Sequence, residues 1–237
     1  MGIIRVDSKK FCHGFTFKGV KIIYTLLNYP YLTVNSTKLF INIEDLNKKI
    51  EKAMGYITIP VKTWYLQKDK QIQMHLSFPL KGKIEEWHPV NNTEYLDVYN
   101  AIGKDWGWTG RVLMKENELQ DWLNSDQSKF YILKIENNAA GFMELDFKDP
   151  SRPEIVYFGL MPDYIGQQLG LPFLTHTVHT IELLEEVKNV WLHTCEYDHP
   201  SAIKVYQKAG FEIYKEEVDE EPYDEDFLKE FKEKFRN

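Results

Sequence analysis

Cysteine is almost absent. The 237 residues carry two, Cys12 and Cys195, which excludes a disulfide framework or a cysteine-rich zinc site and suits a reducing compartment. No apolar run approaches the length of a membrane span, and the opening Met-Gly-Ile-Ile-Arg-Val-Asp-Ser-Lys-Lys lacks the apolar centre of a signal peptide. Val6 stands where a myristoylation signal wants Ser or Thr. These absences predict a cytoplasmic protein without a membrane partner. A basic stripe is missing too, so nucleic acid is not an expected ligand. The net charge of −7 is gathered at one end, residues 216–237 holding ten acidic against four basic side chains, so the rest of the chain is close to neutral. With 43% apolar and 14% aromatic residues there is ample material for a core, in one large domain or one domain with an added piece.

One stretch organises what is present. Residues 155–160 (Ile-Val-Tyr-Phe-Gly-Leu) read as a strand, Pro162 ends it, and Gly166 and Gly170 frame a tight turn. Beyond the turn, Leu171, Leu174, Val178, Ile181 and Leu184 follow at steps of three and four, the spacing of a helix. Pro172 falls in its first turn, where a missing N–H is harmless. A glycine-bearing turn opening a helix presents unpaired N–H groups backed by the helix dipole, an anion site suited to phosphate. No Lys-Ser/Thr pair follows, which excludes a nucleotide-triphosphate loop. A further strand covers 189–196, and then comes His-Pro-Ser-Ala-Ile-Lys-Val-Tyr-Gln-Lys-Ala-Gly-Phe, ending at Phe211.

This order resembles the GNAT superfamily of acyl-CoA-dependent N-acetyltransferases. The family's closing helix reads Ala-Ile-x-hydrophobic-Tyr-x-Lys-x-Gly-Phe, matched here by Ala202, Ile203, Val205, Tyr206, Lys208, Gly210 and Phe211. The resemblance implies an α+β GNAT fold: a mixed, mostly antiparallel sheet with helices on both faces. The other elements fit it. A strand at 83–88 precedes a helix at 92–103, capped by Asn92 or Thr93 and stopped by Gly103. A second helix at 116–124 leads to strands at 129–136 and 139–147 around an Asn137-Asn138 turn. The resemblance covers about 83–217, and reaches residue 56 if the strand at 56–67 joins the sheet. Residues 1–55 form an N-terminal extension or small subdomain with strand-like runs at 15–27 and 31–34 and a helical pattern at 43–54; another strand is expected at 71–78. The acidic tail, 221–237, carries Phe227, Leu228, Phe231 and Phe235 at helical steps. It docks on the body or on a second subunit, the latter making a homodimer.

Function follows as what the resemblance implies: transfer of an acetyl group from acetyl-CoA directly to a primary amine of a small molecule or peptide. The alternative is a non-catalytic acyl-CoA-binding or protein-interaction module on the same fold. Carried over, the pyrophosphate turn is Ile165, Gly166, Gln167, Gln168, Leu169 and Gly170, and the strand end beside pantetheine is Leu160 and Met161, with a backbone N–H near Met161 toward the thioester oxygen. Two positions depart from the family, Ile165 for Gln or Arg and Gln168 for the first Gly. Gln168 needs a backbone angle that glycine adopts more easily. Tyr206 matches the family's tyrosine that protonates the leaving thiolate. His199 stands where many members carry Asn, as a cofactor contact or a helix cap. Trp106, Trp108 and Arg111, in a loop the family uses for the acceptor, are candidate substrate contacts with Tyr157; the tryptophans could equally fold onto the core. For the base, Glu144 is favoured, as a carboxylate among apolar neighbours whose pKa would be raised. Glu154, Tyr157 and a water chain are alternatives. His176 and His179 lack a third ligand, so no metal is expected, and Cys195 reads as a buried structural thiol. The acidic tail is a solvated surface or an attractor for a cationic amine.

Overall fold

The computed structural model describes residues 12–17, 20–25, 31–32, 41–42, 55–70 and 78–235. They fall in two compact units, Met1–Thr58 and Ile59–Asn237. In the first, β1 (Cys12–Phe17) and β2 (Val20–Thr25) pair antiparallel, as do β3 (Tyr31–Leu32) and β4 (Ile41–Asn42). The strand-like run at 15–27 is thus parts of two paired strands. The helix expected at 43–54 and, apart from Phe78, the strand expected at 71–78 lie outside the described residues.

The second unit is built on a seven-stranded sheet. Its strands are β5 (Tyr56–Asp69), β6 (Lys83–Glu86), β7 (Ser128–Ile135), β8 (Asn138–Asp146), β9 (Glu154–Leu160), β10 (Asn189–Cys195) and β11 (Glu212–Asp224), in the spatial order β11-β5-β10-β9-β8-β7-β6. Neighbours from β6 to β9 are antiparallel, β5 and β10 also, and β9 and β10 are parallel. The mixed, mostly antiparallel α+β fold is therefore as the sequence predicts. β5 runs through Pro60, and its ladder with β10 begins at Thr63.

Helices cover both faces. On one, α3 (Gly170–Glu182) buries Phe173, Leu174, Val178 and Ile181 against Leu145 and Leu192. On the other, α1 (Asn92–Gly103) and α2 (Glu116–Leu123) bury Tyr95, Tyr99, Ile102 and Leu119 against Phe130 and Phe142. Each fully buried side chain of this kind contributes about 1.5–3 kcal/mol. The cap of α1 lies one residue before the expected pair: Asn91 Oδ1 accepts from the Glu94 N–H at 3.0 Å, and Glu94 returns a carboxylate oxygen to the Val90 N–H at 2.7 Å. The last elements are α4 (Ala202–Lys208) and α5 (Glu225–Phe235). The acidic segment begins as the end of β11, and α5 packs on the same unit, with Leu228 and Phe231 buried and the Phe231 ring 5.0 Å from that of Tyr197. Among the described residues no helix is long and apolar enough to cross a membrane.

Two irregularities interrupt the middle of the sheet. In the β8–β9 ladder Glu144 faces Tyr157 and Leu145 faces Ile155, so Val156 is an extra residue, a bulge on β9. The parallel ladder between β9 and β10 consists of Trp191 opposite Glu154 and Leu192 opposite Ile155 and then stops. A bulge bends and twists the strand that carries it, and here β9 leaves β10 at that residue.

Candidate active site

The parting of the two strands opens a cleft that, with the solvent at its mouth, encloses about 800 Å³. Val156, Tyr157 and Phe158 line it from β9, and His193 and Cys195 from β10. A loop after α1 brings Trp106 and Trp108, α4 brings Tyr206, and β11 brings Glu221 and Tyr223.

The loop is fixed by small residues and by aromatic contact. Gly107 has φ +68°, a left-handed turn, and a Cβ there would meet Tyr223 and Phe227 at 2.5–2.6 Å. Trp108 packs its ring 5.4 Å from Tyr99 and 4.9 Å from Tyr157, folded onto the core, and also lines the cleft. Trp106 stands edge-on to His199 at 4.9 Å. The hydroxyl of Thr109 donates to the Pro222 carbonyl at 2.8 Å, tying the loop to β11.

Arg111 and Glu144 depart from the expectation. Arg111 is not among the cleft-lining residues. Its Nε and Nη2 donate to Glu144 Oε1 at 3.0 and 2.5 Å, and its guanidinium lies over the rings of Trp122 and Tyr157. Glu144 is wholly buried and also accepts from Trp122 Nε1 at 2.8 Å and from the Tyr95 hydroxyl. The apolar setting read for this carboxylate is replaced by four donors, because α1, α2 and the loop each send a polar tip to it. Such a carboxylate, closed to solvent, anchors the loop.

The turn before α3 has the shape that its glycines suggested. Gly166 takes φ +82° and Gln168 takes φ +61°, so the glutamine adopts the left-handed angle required of it. Residues 165–168 are exposed and Leu169 is buried beneath them. The Ile165 and Gln167 N–H groups close the turn onto Pro162 and Tyr164, and the first N–H bonded into α3 is that of Phe173, to the Leu169 carbonyl. The N–H groups of Gly166, Gln168, Leu169, Gly170 and Leu171 meet no acceptor among the described residues. That cradle fits a pyrophosphate. Of the backbone N–H groups near Met161, one of which is expected toward a thioester oxygen, that of Met161 itself donates to the Ala140 carbonyl at 3.0 Å. By the alternation of an antiparallel ladder, the N–H groups of Phe158 and Leu160 then point to the opposite edge, from which β10 has departed.

Tyr206 reaches the cleft with its hydroxyl buried. Burial, then the charge of Asp198, hold it well above the ordinary range of a phenol, so it stays protonated. Burial pushes the Cys195 thiol up to about 12, and its sulfur lies 3.3 Å from the Tyr223 hydroxyl, as befits a structural thiol. His199 accepts the Ser201 N–H on Nδ1 at 3.1 Å just ahead of α4, whose own N-cap, Ser201, makes no side-chain cap bond. Among the described residues no three His, Cys, Asp or Glu are grouped to hold a metal ion.

Residues 95–211, which hold the turn, the bulge and Tyr206, match the acetyltransferase (GNAT) family. The chain carries a GNAT domain. Among solved structures it is similar to a conserved protein of unknown function from Staphylococcus epidermidis ATCC 12228, with TM-score 0.50 and 18% identity over 76% of this chain and 65% of that one. A GCN5-related N-acetyltransferase from Sphaerobacter thermophilus gives TM-score 0.49 and 15% identity, over 80% and 58%. Another, from Kribbella flavida, gives 0.47 and 13%, over 72% and 61%. The likeness is one of fold, and the chain spans less than two thirds of the length of each of these relatives. No curated protein sequence matches it significantly.

Within the GNAT domain the fold joins Glu154, an alternative base in the sequence, to His193, which sequence reasoning passed over. His193 Nδ1 lies 2.9 Å from Glu154 Oε1 across the end of the β9–β10 ladder. Alternation along Asn189–Cys195 marks Trp191, His193 and Cys195 as one face of the strand, but no pattern in the sequence tells which strand that face meets.

Proposed function

We propose that this chain transfers an acetyl group from acetyl-CoA directly to a primary amine of a small molecule or peptide. The observation that carries the proposal is the cleft where β9 parts from β10, with the protonated Tyr206 at its wall and, beyond the end of β9, a turn whose N–H groups have no acceptor among the described residues. GNAT enzymes use acyl-CoA, and residues 165–170 with the free edge of β9 are the groups that would hold it. The thioester supplies an activated acetyl group. The chain's part is to align the amine with it, stabilise the oxyanion through backbone N–H groups of β9, and give the thiolate a proton from Tyr206.

The character of the cleft supports a cationic acceptor with an apolar body. None of its lining residues is Lys or Arg, whereas Asp198 and Glu221 are acidic and Trp106, Trp108, Tyr157 and Tyr223 are aromatic. An ammonium ion favours such walls through charge and through the faces of the rings.

Calorimetric titration tests the donor half. Acetyl-CoA is expected to bind, and acetyl-pantetheine, which lacks the pyrophosphate, to bind far more weakly; equal affinities would exclude the cradle as a phosphate site. Tyr206→Phe tests the acid. Turnover on a panel of primary amines should fall on the order of 10²-fold, the low end for a positioned proton donor, with the affinity for acetyl-CoA unchanged.

A further inference from the structure

We infer that His193 is the base that takes the proton of the acceptor ammonium, and that Glu154 is its positioning residue. The inference deepens the acetyl-transfer reading and rests on it.

His193 stands on the cleft side of β10 at the point where β9 has turned away, and its side chain is 43% exposed. A carboxylate only accepts hydrogen bonds, so the contact of Nδ1 with Glu154 Oε1 puts the proton of the neutral ring on Nδ1. The lone pair is then on Nε2, which has no partner among the described residues. The ring lies beside those of Tyr65, at 6.0 Å, and Trp191, at 6.4 Å. It is thus held by a carboxylate at one nitrogen and by aromatic neighbours on the sheet, with the other nitrogen open.

The groups facing it are Glu154 from β9, Tyr65 from β5, Trp191 on its own strand, Asp198 from the loop after β10, and Glu221 from β11. Asp198 is committed, one oxygen accepting from the Thr194 hydroxyl and the Cys195 N–H. Burial opposes the imidazolium, and the hydrogen bond and charge of Glu154 with the charges of Asp198 and Glu221 outweigh it, raising the histidine above its ordinary value. A base tuned in this way has proton affinity near that needed at neutral pH. Glu144, wholly buried among four donors, does not line the cleft.

The protons balance. An acceptor R–NH3+ gives one proton to Nε2, and the freed nitrogen pair forms the N–C bond to the acetyl carbon. The C–S bond breaks, and the sulfur leaves with its electron pair and takes the proton of Tyr206. The nitrogen's second proton restores Tyr206 through solvent, and His193 releases its proton to water. The sum is amide, free CoA thiol and one H+.

The test uses the full chain, with His193→Gln and Glu154→Gln, and two readouts. In the first, acetyl transfer to tyramine is followed by thiol release across the neutral pH range. The acid limb of kcat/KM in the parent chain should lie above the ordinary histidine value of about 6.5, and Glu154→Gln should move it down. His193→Gln should abolish the limb and lower kcat by about 10²–10⁴-fold, while calorimetry shows unchanged acetyl-CoA affinity. Parental kcat or an intact acid limb in His193→Gln overturns the assignment. In the second, nitrogen NMR of the labelled imidazole is expected to show the neutral ring protonated on Nδ1, with a midpoint that falls in Glu154→Gln. A neutral ring protonated on Nε2 overturns it whatever the enzyme does with tyramine. Failure of acetyl-CoA to bind, by contrast, would sink the acetyl-transfer reading and leave the imidazole result standing by itself.

Discussion

Two carboxylates taken out of water define how this molecule uses charge. Glu144 is wholly buried and meets Arg111, Tyr95 and Trp122; Glu182 is nearly buried and meets Lys68, itself fully buried, at 2.5 Å. Desolvation is severe for either, so such a pair fixes geometry more than it adds stability, and removing one partner leaves an uncompensated charge. Glu144→Ala is therefore expected to destabilise the fold by about 3–5 kcal/mol, read as a loss in the denaturation midpoint. The loss should not depend on whether acetyl-CoA is present. A variant that melts like the parent and merely turns over slowly would return Glu144 to the role of base.

At the scale of single elements the turn before α3 is the most exacting. A left-handed angle at a residue other than glycine costs roughly 1–2 kcal/mol, and Gln168 bears it in a position that glycine would occupy freely. A β-branched side chain tolerates that angle least. Gln168→Val should accordingly lower stability by about 1–2 kcal/mol and weaken acetyl-CoA binding in a calorimetric titration, whereas Gln168→Gly should preserve both. This turn was legible in the chain because everything it needs is local: Pro162, Gly166, Gly170 and the helical spacing beyond. So were the strands and helices from residue 83 onward and the motif around Tyr206. The bulge at Val156 was not, since it exists only relative to β8. Nor was the His193–Glu154 pair, which depends on a parallel register between strands joined through α3. The polar setting of Glu144 was hidden for a related reason: its neighbours in sequence are apolar, and its donors arrive from other elements.

For the whole molecule the decisive feature is β5. It lies between β10 and β11, so a strand from before the GNAT match separates two strands that the closing helix connects. Its contacts are long-range on both sides: the Lys62 N–H donates to Glu196, 134 positions away, and the Tyr65 hydroxyl to Asp219, 154 positions away. A chain ended after Phe211 would lose β11 and α5, opening one edge of β5 and stripping the cleft of Tyr223 and the loop of its Pro222 tether. It should associate, seen as high-mass species in size-exclusion chromatography, because an unpaired edge recruits other strands. A monodisperse, acetyl-CoA-binding product would show that the sheet closes without its last strand.

The same arrangement sets the order of events during synthesis. β5 leaves the ribosome early, and both of its partners are made late. Pairings over such separations form slowly because a long loop must first be closed. Until residues 189–224 have been made, β5 is a strand with two bare edges.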